Sequence, residues 1–311
     1  MSNLIAEAKE LYATDKKHWA DIYREAEEDD TFMSGNAGAQ WNSQDYKSRK
    51  DNGKPALEID QLSQFEKQVA NEIRRNTPSI KVIPNGSDAS IDDAEIFRGI
   101  IRTIEHKSNA DAAYDTGVAC AIRSSIGFLK VSTDYVSETS FDQELKIERV
   151  VNPRSIMLDS KSISADGSDA MHAWEEEPPI DVREFRKLYP DCSPISFGEN
   201  DSPNQDTAQI RIMRWYRIEE EKYKIGQLAD GTIEEVQEGT QYEAQREVSI
   251  RKVKIYRLTG AEVIDEAIFP GKYIPVVPVY GEEAWINGER KLFSLIRRSK
   301  DGQRMFNVWK S

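Results

Sequence analysis

Apolar residues in the first thirty positions recur every three or four residues: Leu4, Ile5, Ala8, Leu11, Tyr12, Trp19, Ile22, Tyr23 and Ala26, with acids and lysines between them. That period predicts an amphipathic helix from Ser2 to Asp30. The acidic run Glu27-Glu28-Asp29-Asp30 and the glycine-containing stretch SGNAGAQW mark its end. After a second break at Asn52-Gly53-Lys54-Pro55, Asp60 can cap a helix that carries Leu62, Phe65, Val69 and Ile73 on one side and is stopped by Pro78. Ser90 with Asp93 three residues on forms a cap for a long helix. Its expected buried stripe is Ile96, Ile100, Ile101, Ile104, Tyr114, Val118 and Ile122.

From Ile126 the period shortens toward two. IGFLKVSTDYV, QELKIERVV and SIMLD read as an antiparallel meander. ADGSDA is a polar loop, Trp174 opens the acidic turn EEEPP, and DVREFRKLYP is a short helix ended by Pro190. Residues 192–209 crowd Ser, Asn, Asp, Gly and Pro into a flexible excursion. Strands resume at QIRIMRWYRI, Asp230-Gly231 closes one hairpin, and Thr259-Gly260 joins two further strands. Pro275 and Pro278 belong on a sheet edge or a bulge, not in a central strand, because proline cannot donate to a ladder. The last stretch, ERKLFSLIRRSKDGQRMFNVWKS, reads as one helix or as two broken at Asp301-Gly302. The fold class is therefore α+β, with long amphipathic helices on antiparallel sheet. Three parts are expected: a mainly helical 1–125, a β-rich 126–285, and a basic helix at 286–311.

At 311 residues the chain can bury a sizeable core, and 38% hydrophobic residues exclude wholesale disorder. A net charge of −13 disfavours a tight DNA-wrapping protein, since such affinity comes mostly from Lys and Arg. Cys120 and Cys192 stand far apart, without the spacing of a disulfide scaffold or zinc site. No run approaches the ~20 apolar residues of a membrane span. A glycine-rich phosphate loop followed by Lys and Ser or Thr is absent, so nucleotide hydrolysis is not indicated. His18, His106 and His172 lack ligand spacing and read as surface or helix-flanking residues. Asp159, Asp166 and Asp169 do not alternate as a calcium loop requires. No catalytic residue, metal or cofactor is assigned. The end of the chain inverts the overall charge: Arg290, Lys291, Arg297, Arg298, Lys300, Arg304 and Lys310 stand against Glu289 and Asp301. Phosphate contact, pairing with the acidic surface of a neighbouring copy, and a plain basic helix face all remain open for these residues. Large apolar residues at helical spacing there, among them Leu292, Phe293, Phe306 and Trp309, read as core or subunit packing.

Several blocks, in order, resemble the portal protein family of short-tailed double-stranded DNA bacteriophages. GKPALEIDQLSQFEKQVANEIRRNTPSIKV, with Pro55, Gln64, Phe65, Asn71, Arg74 and Pro78, is similar to that family's early helix and strand. IEHKSNADAAYDTG, SFDQELKIERVVNPRSIMLD and ADGSDA follow, and IPVVPVYGEEAWINGER and KDGQRMFNVWKS are similar to the approach to the stem and clip. The resemblance implies a non-enzymatic structural protein, wing-like in fold, that forms a homo-oligomeric ring of twelve copies at one capsid vertex. Its implied partners are the large terminase subunit, scaffolding and capsid proteins, tail or adaptor proteins, and double-stranded DNA in the channel, with no membrane. The implied locations are the virion and, during assembly, the host cytoplasm. Family members continue past the position of Ser311, so the chain is expected to be an N-terminal wing-like portion. A minor head or tail adaptor and a hydrolase using acids between Asp159 and Glu177 are the alternatives.

Overall fold

A computed structural model describes residues 2–76, 80–85, 90–198, 209–228, 232–236 and 242–311. The chain is α+β, as the two periods predict. Helix α1 (Ser2–Phe32) runs through the acidic stretch expected to end it. Helix α2 (Ser43–Asp51) has no apolar period to announce it; Asn42 starts it by accepting from Gln44 N at 3.0 Å. Helix α3 (Leu62–Arg75) follows, and Asp60 accepts from Ser63 N at 3.0 Å. The expected long helix is two, α4 (Ile91–Ser108) and α5 (Ala110–Ser124). They are divided at Asn109, which takes φ 51°, a left-handed conformation that asparagine tolerates better than most residues. The expected capping box of Ser90 and Asp93 starts α4.

Strands β1 (Ile126–Tyr135), β2 (Gln143–Arg149), β3 (Ile156–Leu158) and β4 (His172–Glu176) come next. The segments expected to form one meander divide between sheets, because β3 pairs with β4 and not with β2. Trp174, read as the opening of a turn, sits fully buried in the middle of β4. After these come β5 (Ile180–Asp181), α6 (Val182–Leu188), β6 (Gln209–Ile210), β7 (Met213–Gln227), β8 (Ile233–Glu235), β9 (Ala244–Leu258) and β10 (Val263–Phe269). The chain ends with β11 (Val276–Tyr280), β12 (Glu282–Ile286), β13 (Glu289–Phe293) and α7 (Leu295–Lys310). The ERKLF segment read as helix is thus β13, hairpinned to β12 across Asn287 and Gly288, both at positive φ. Helix α7 starts where Ser294 Oγ accepts from Arg297 N at 2.8 Å, and it passes Asp301-Gly302 without a break. Pro78, the Asp230-Gly231 turn and 199–208 of the polar excursion lie outside the described residues.

Two compact units divide the chain. The sheet unit comprises the residues up to Lys16 together with Ser155–Pro275. Its antiparallel sheet has the order β10-β9-β7-β4-β3, with β8 also on β7. The core is aromatic: Trp174 and Trp215, opposite each other on β4 and β7, stack with centroids 5.2 Å apart, and Tyr12 meets Trp174 edge-on at 5.5 Å. A smaller apolar cluster of Phe185, Ile210 and Ile212 sits beside the β5–β6 ribbon.

The helical unit comprises Lys17–Arg154 and Val276–Ser311. Its three-stranded sheet has the order β11-β1-β2, so Pro278 lies on an edge strand, as its missing N–H requires. Helix α5 packs on β1 at a glycine-to-glycine contact: a Cβ at Gly127 would come within 2.0 Å of the Gly117 carbonyl oxygen. Helix α7 is fastened to the extended residues before α3 by side chains alone. Leu57 N donates to Ser311 Oγ (2.8 Å), Ile59 N to Asn307 Oδ1 (3.1 Å) and Gln61 N to Gln303 Oε1 (3.2 Å). Gln303 Nε2 returns a bond to Ile59 O at 2.7 Å. Among the described residues no helix is long and apolar enough to cross a membrane.

Candidate functional site

The basic residues near the end of the chain do not form one surface. Arg290 and Lys291 are on β13; Arg290 pairs with Glu283 at 2.7 Å and lies 4.0 Å from the Tyr280 ring centroid, and Lys291 pairs with Glu289 at 2.9 Å. Arg297 and Lys300 turn inward to the acidic end of α1. Asp29, which is 0% exposed, accepts from Ser294 Oγ (2.6 Å) and Arg297 Nη2 (3.1 Å) at Oδ2 and forms an ion pair with Lys300 Nζ at Oδ1 (2.5 Å), and Arg297 also reaches Glu25. Of the four consecutive acids that α1 runs through, Glu27 and Glu28 face solvent, Asp30 pairs with Arg154 at 2.6 Å, and Asp29 neutralises cations that would otherwise be buried alone. Arg298 and Arg304 remain toward solvent, paired with the exposed Glu282 (2.6 Å) and Asp301 (3.1 Å). Exposed pairs of this kind contribute only about 0–1 kcal/mol, and each guanidinium also lies over an aromatic ring, Arg298 over Phe293 (4.6 Å) and Arg304 over Phe32 (5.4 Å).

The acids considered for calcium or hydrolytic chemistry each stabilise their own surroundings. Asp169 accepts from Ser162 Oγ (2.6 Å), Ile163 N (2.8 Å) and Ser164 N (3.1 Å), while Asp166 accepts from Ser168 N at 3.0 Å. Glu175 accepts from the Tyr216 hydroxyl at 2.6 Å. Burial pushes the Glu177 carboxyl up, but the forked bonds from Arg257 and the nearby Arg214 outweigh it and hold the group below its ordinary range. A general acid needs the opposite shift.

Spacing in the sequence gives no hint of what surrounds His172. Asp15 from α1, Asp159 from the turn after β3 and His172 from β4 bring one donor atom each within 4.8 Å of one another. His172 Nε2 lies 2.7 Å from Asp15 Oδ2, and its Nδ1 lies 3.6 Å from Asp159 Oδ2. The two ring nitrogens diverge, so the imidazole bridges two carboxylates and cannot turn both toward one ion. The oxygens are also occupied. Asp15 takes Trp174 Nε1 (2.9 Å) and Ser160 N (3.1 Å), and Asp159 takes Lys161 N (2.9 Å) and Met171 N (3.1 Å). Burial raises the Asp15 pKa, yet the bonds from His172, Trp174 and Ser160 together bring it below its ordinary value. The cluster has the chemistry of a structural hydrogen-bond network, with a histidine read from sequence as a surface residue at its centre.

The feature without internal partners is apolar. On α3, Phe65, Val69 and Ile73 recur every four residues and are exposed; on α4, Ile96, Phe97 and Ile100 are 61%, 59% and 48% exposed. Ile96 and Ile100 were expected in a buried stripe; Ala94 and the half-buried Ile101 and Ile104 face inward instead. Contiguous apolar surface on a folded unit marks an interaction site more often than chance.

The sheet unit encloses an aromatic core, and the helical unit leaves apolar faces of α3 and α4 uncovered. The model of the phage P22-like portal protein family matches residues 9–311. The chain belongs to that family. It is 22% identical over 279 residues to a portal protein of Acyrthosiphon pisum secondary endosymbiont phage 1, an alignment covering 82% of this chain and 39% of the relative. The chain thus spans about two fifths of the length of that curated relative.

Proposed function

We propose that this chain is a structural subunit of a tailed-phage portal, a ring of identical copies, twelve in number, at one capsid vertex through which DNA is packaged and ejected. The observation that carries the reading is the uncovered apolar surface of α3 and α4 in a chain of the portal family. Identical subunits bury such faces against one another when they close a ring. The role is geometric: the ring presents a passage, and force for DNA movement comes from a separate terminase. The acidic balance of the chain, −13, suits a wall past which DNA slides without sticking. Arg298, Arg304 and Lys310, the α7 cations that face solvent, are the residues available to a phosphate backbone or to a neighbour's acids. Scaffolding, capsid and tail or adaptor proteins are the remaining partners, met in the host cytoplasm during assembly and kept in the virion.

Light scattering and negative-stain electron microscopy of the purified chain, alone and with a longer family member, test the reading. Rings or incorporation into rings are expected. A chain that stays monomeric under both conditions overturns it.

A further inference from the structure

The helical unit carries two apolar surfaces of opposite shape. One is a groove of about 660 Å³ between α3 and α7, with Leu62, Phe65 and Val69 on one wall and Leu295, Ile296 and Phe306 on the other. Gly302 keeps its α7 side open, since a Cβ there would meet nothing within 4 Å. The other is a ridge on α4 formed by Ile96, Phe97 and Ile100, all exposed. A groove cannot fill a groove, and a ridge cannot cover a ridge, but each complements the other.

Charge follows the same division. The start of α4 places Asp92, Asp93 and Glu95 beside the ridge, with Arg98 the only base in its first two turns. The groove carries one base, Arg298, which lines it half-exposed. Arg298 is paired with the equally exposed Glu282, a pair that exchanges at little cost, and lies over the Phe293 ring at 4.6 Å from its centroid.

We propose that the α4 ridge of one copy seats in the α3–α7 groove of the next copy. The inference rests on the reading of the chain as a self-assembling ring subunit and specifies the contact that closes it. Such a contact is heterologous: each subunit uses one surface to give and another to receive, which generates rings where the rotation closes and does not stop at a symmetric pair. A groove of this size falls within the ~300–1,000 Å³ of pockets that accept compact apolar groups, enough to receive the large side chains of the ridge.

The test uses two full-length variants, Phe97→Glu on the ridge and Val69→Glu in the groove. Both positions are exposed, and circular dichroism and melting confirm that each variant folds. Wild-type chain is expected to form rings by mass photometry, and each variant alone to be monomeric. Mixed in equal amounts, the variants retain one intact ridge and one intact groove between them, so they should form a dimer of one of each and nothing larger. The milder Phe97→Ala should weaken association by about ten-fold or more, as truncation of a central aromatic does. The pairing is overturned if either Glu variant assembles as wild type does, if the mixture stays monomeric, or if one variant alone forms symmetric dimers. In each of those cases wild-type rings would leave the portal reading standing; a wild-type chain that stays monomeric both alone and with a longer family member would remove both.

Discussion

The two units use large apolar side chains in opposite ways. In the sheet unit the bulkiest residues, Trp174 and Trp215, are 0% exposed and stacked; Trp174 Nε1 donates to Asp15, which also meets His172, while Trp215 Nε1 is buried without a hydrogen-bond partner. In the helical unit Phe65, Ile73, Ile96 and Phe97 stand in solvent, while charges such as Asp29 are taken inside and neutralised. The first arrangement completes itself within one chain. The second leaves apolar surface to be covered by another molecule, and its buried ion pairs set where the helices stand before that happens. Stability and association should therefore be separable by mutation, with stability sensitive to the sheet unit's core and the helical unit's ion pairs, and association sensitive to the exposed faces.

The largest loss is expected from Trp174→Ala, which removes a stacked ring and one donor to Asp15; about 3–5 kcal/mol should disappear in urea denaturation. A value below about 1 kcal/mol would mean that this core is not the keystone of the sheet unit. Next comes Asp29→Ala, which strands Lys300 and part of Arg297 in a buried setting and should destabilise by about 3 kcal/mol, read from the same titration. Asp15→Asn should cost about 2 kcal/mol at neutral pH, since an amide has one acceptor oxygen where the carboxylate has two: with that oxygen toward His172 and Trp174, its NH2 faces the Ser160 N–H. Its pH dependence gives a second check. The Asp15 carboxyl binds its proton less tightly in the folded chain than in the unfolded one, so its contribution is present above the ordinary value of 3.8 and is lost as the pH falls below it, through the folded value. The variant should flatten that acid limb; an unchanged limb would show that Asp15 does not produce it. The smallest effect on stability is expected for Ile96→Ser and Val69→Ser, within about 0.5 kcal/mol, because both side chains already meet water. If either unfolds the chain by several kcal/mol, the exposed faces are covered within the subunit and the contrast between the units fails.

Much of this fold was legible because it is local. The three- and four-residue period of α1, the Ser90–Asp93 box and the edge position of Pro278 depend on neighbours within a few residues. The division at Asn109 was hidden because the left-handed residue is not glycine, and α2 because a wholly polar helix has no apolar period. The strand β13 was hidden for a different reason: Leu292 and Phe293 run on in phase with the helix that follows them. The Asp15–Asp159–His172 network was out of reach, since its members are brought together only by folding from three distant segments. The apolar stripes of α3 and α4 carry the sharpest lesson. Periodicity shows that a helix has an apolar face, and it does not show whether the same chain covers it.

The row of Gln303 and Asn307 on α7 and Ser311 at its C-cap answers a problem of measurement. Four residues of helix advance ~6.0 Å, and two residues of extended chain advance ~6.6 Å, so side chains spaced by four on α7 meet alternate amides at Leu57, Ile59 and Gln61 nearly in step. The helix thereby serves as a partner strand without being one. Three attachments distributed along the axis share a pull directed along α7, whereas a pull across it opens them in succession. In a subunit proposed to sit where packed DNA presses outward, that anisotropy makes the direction of load, and not its size alone, decide whether the end of the chain holds.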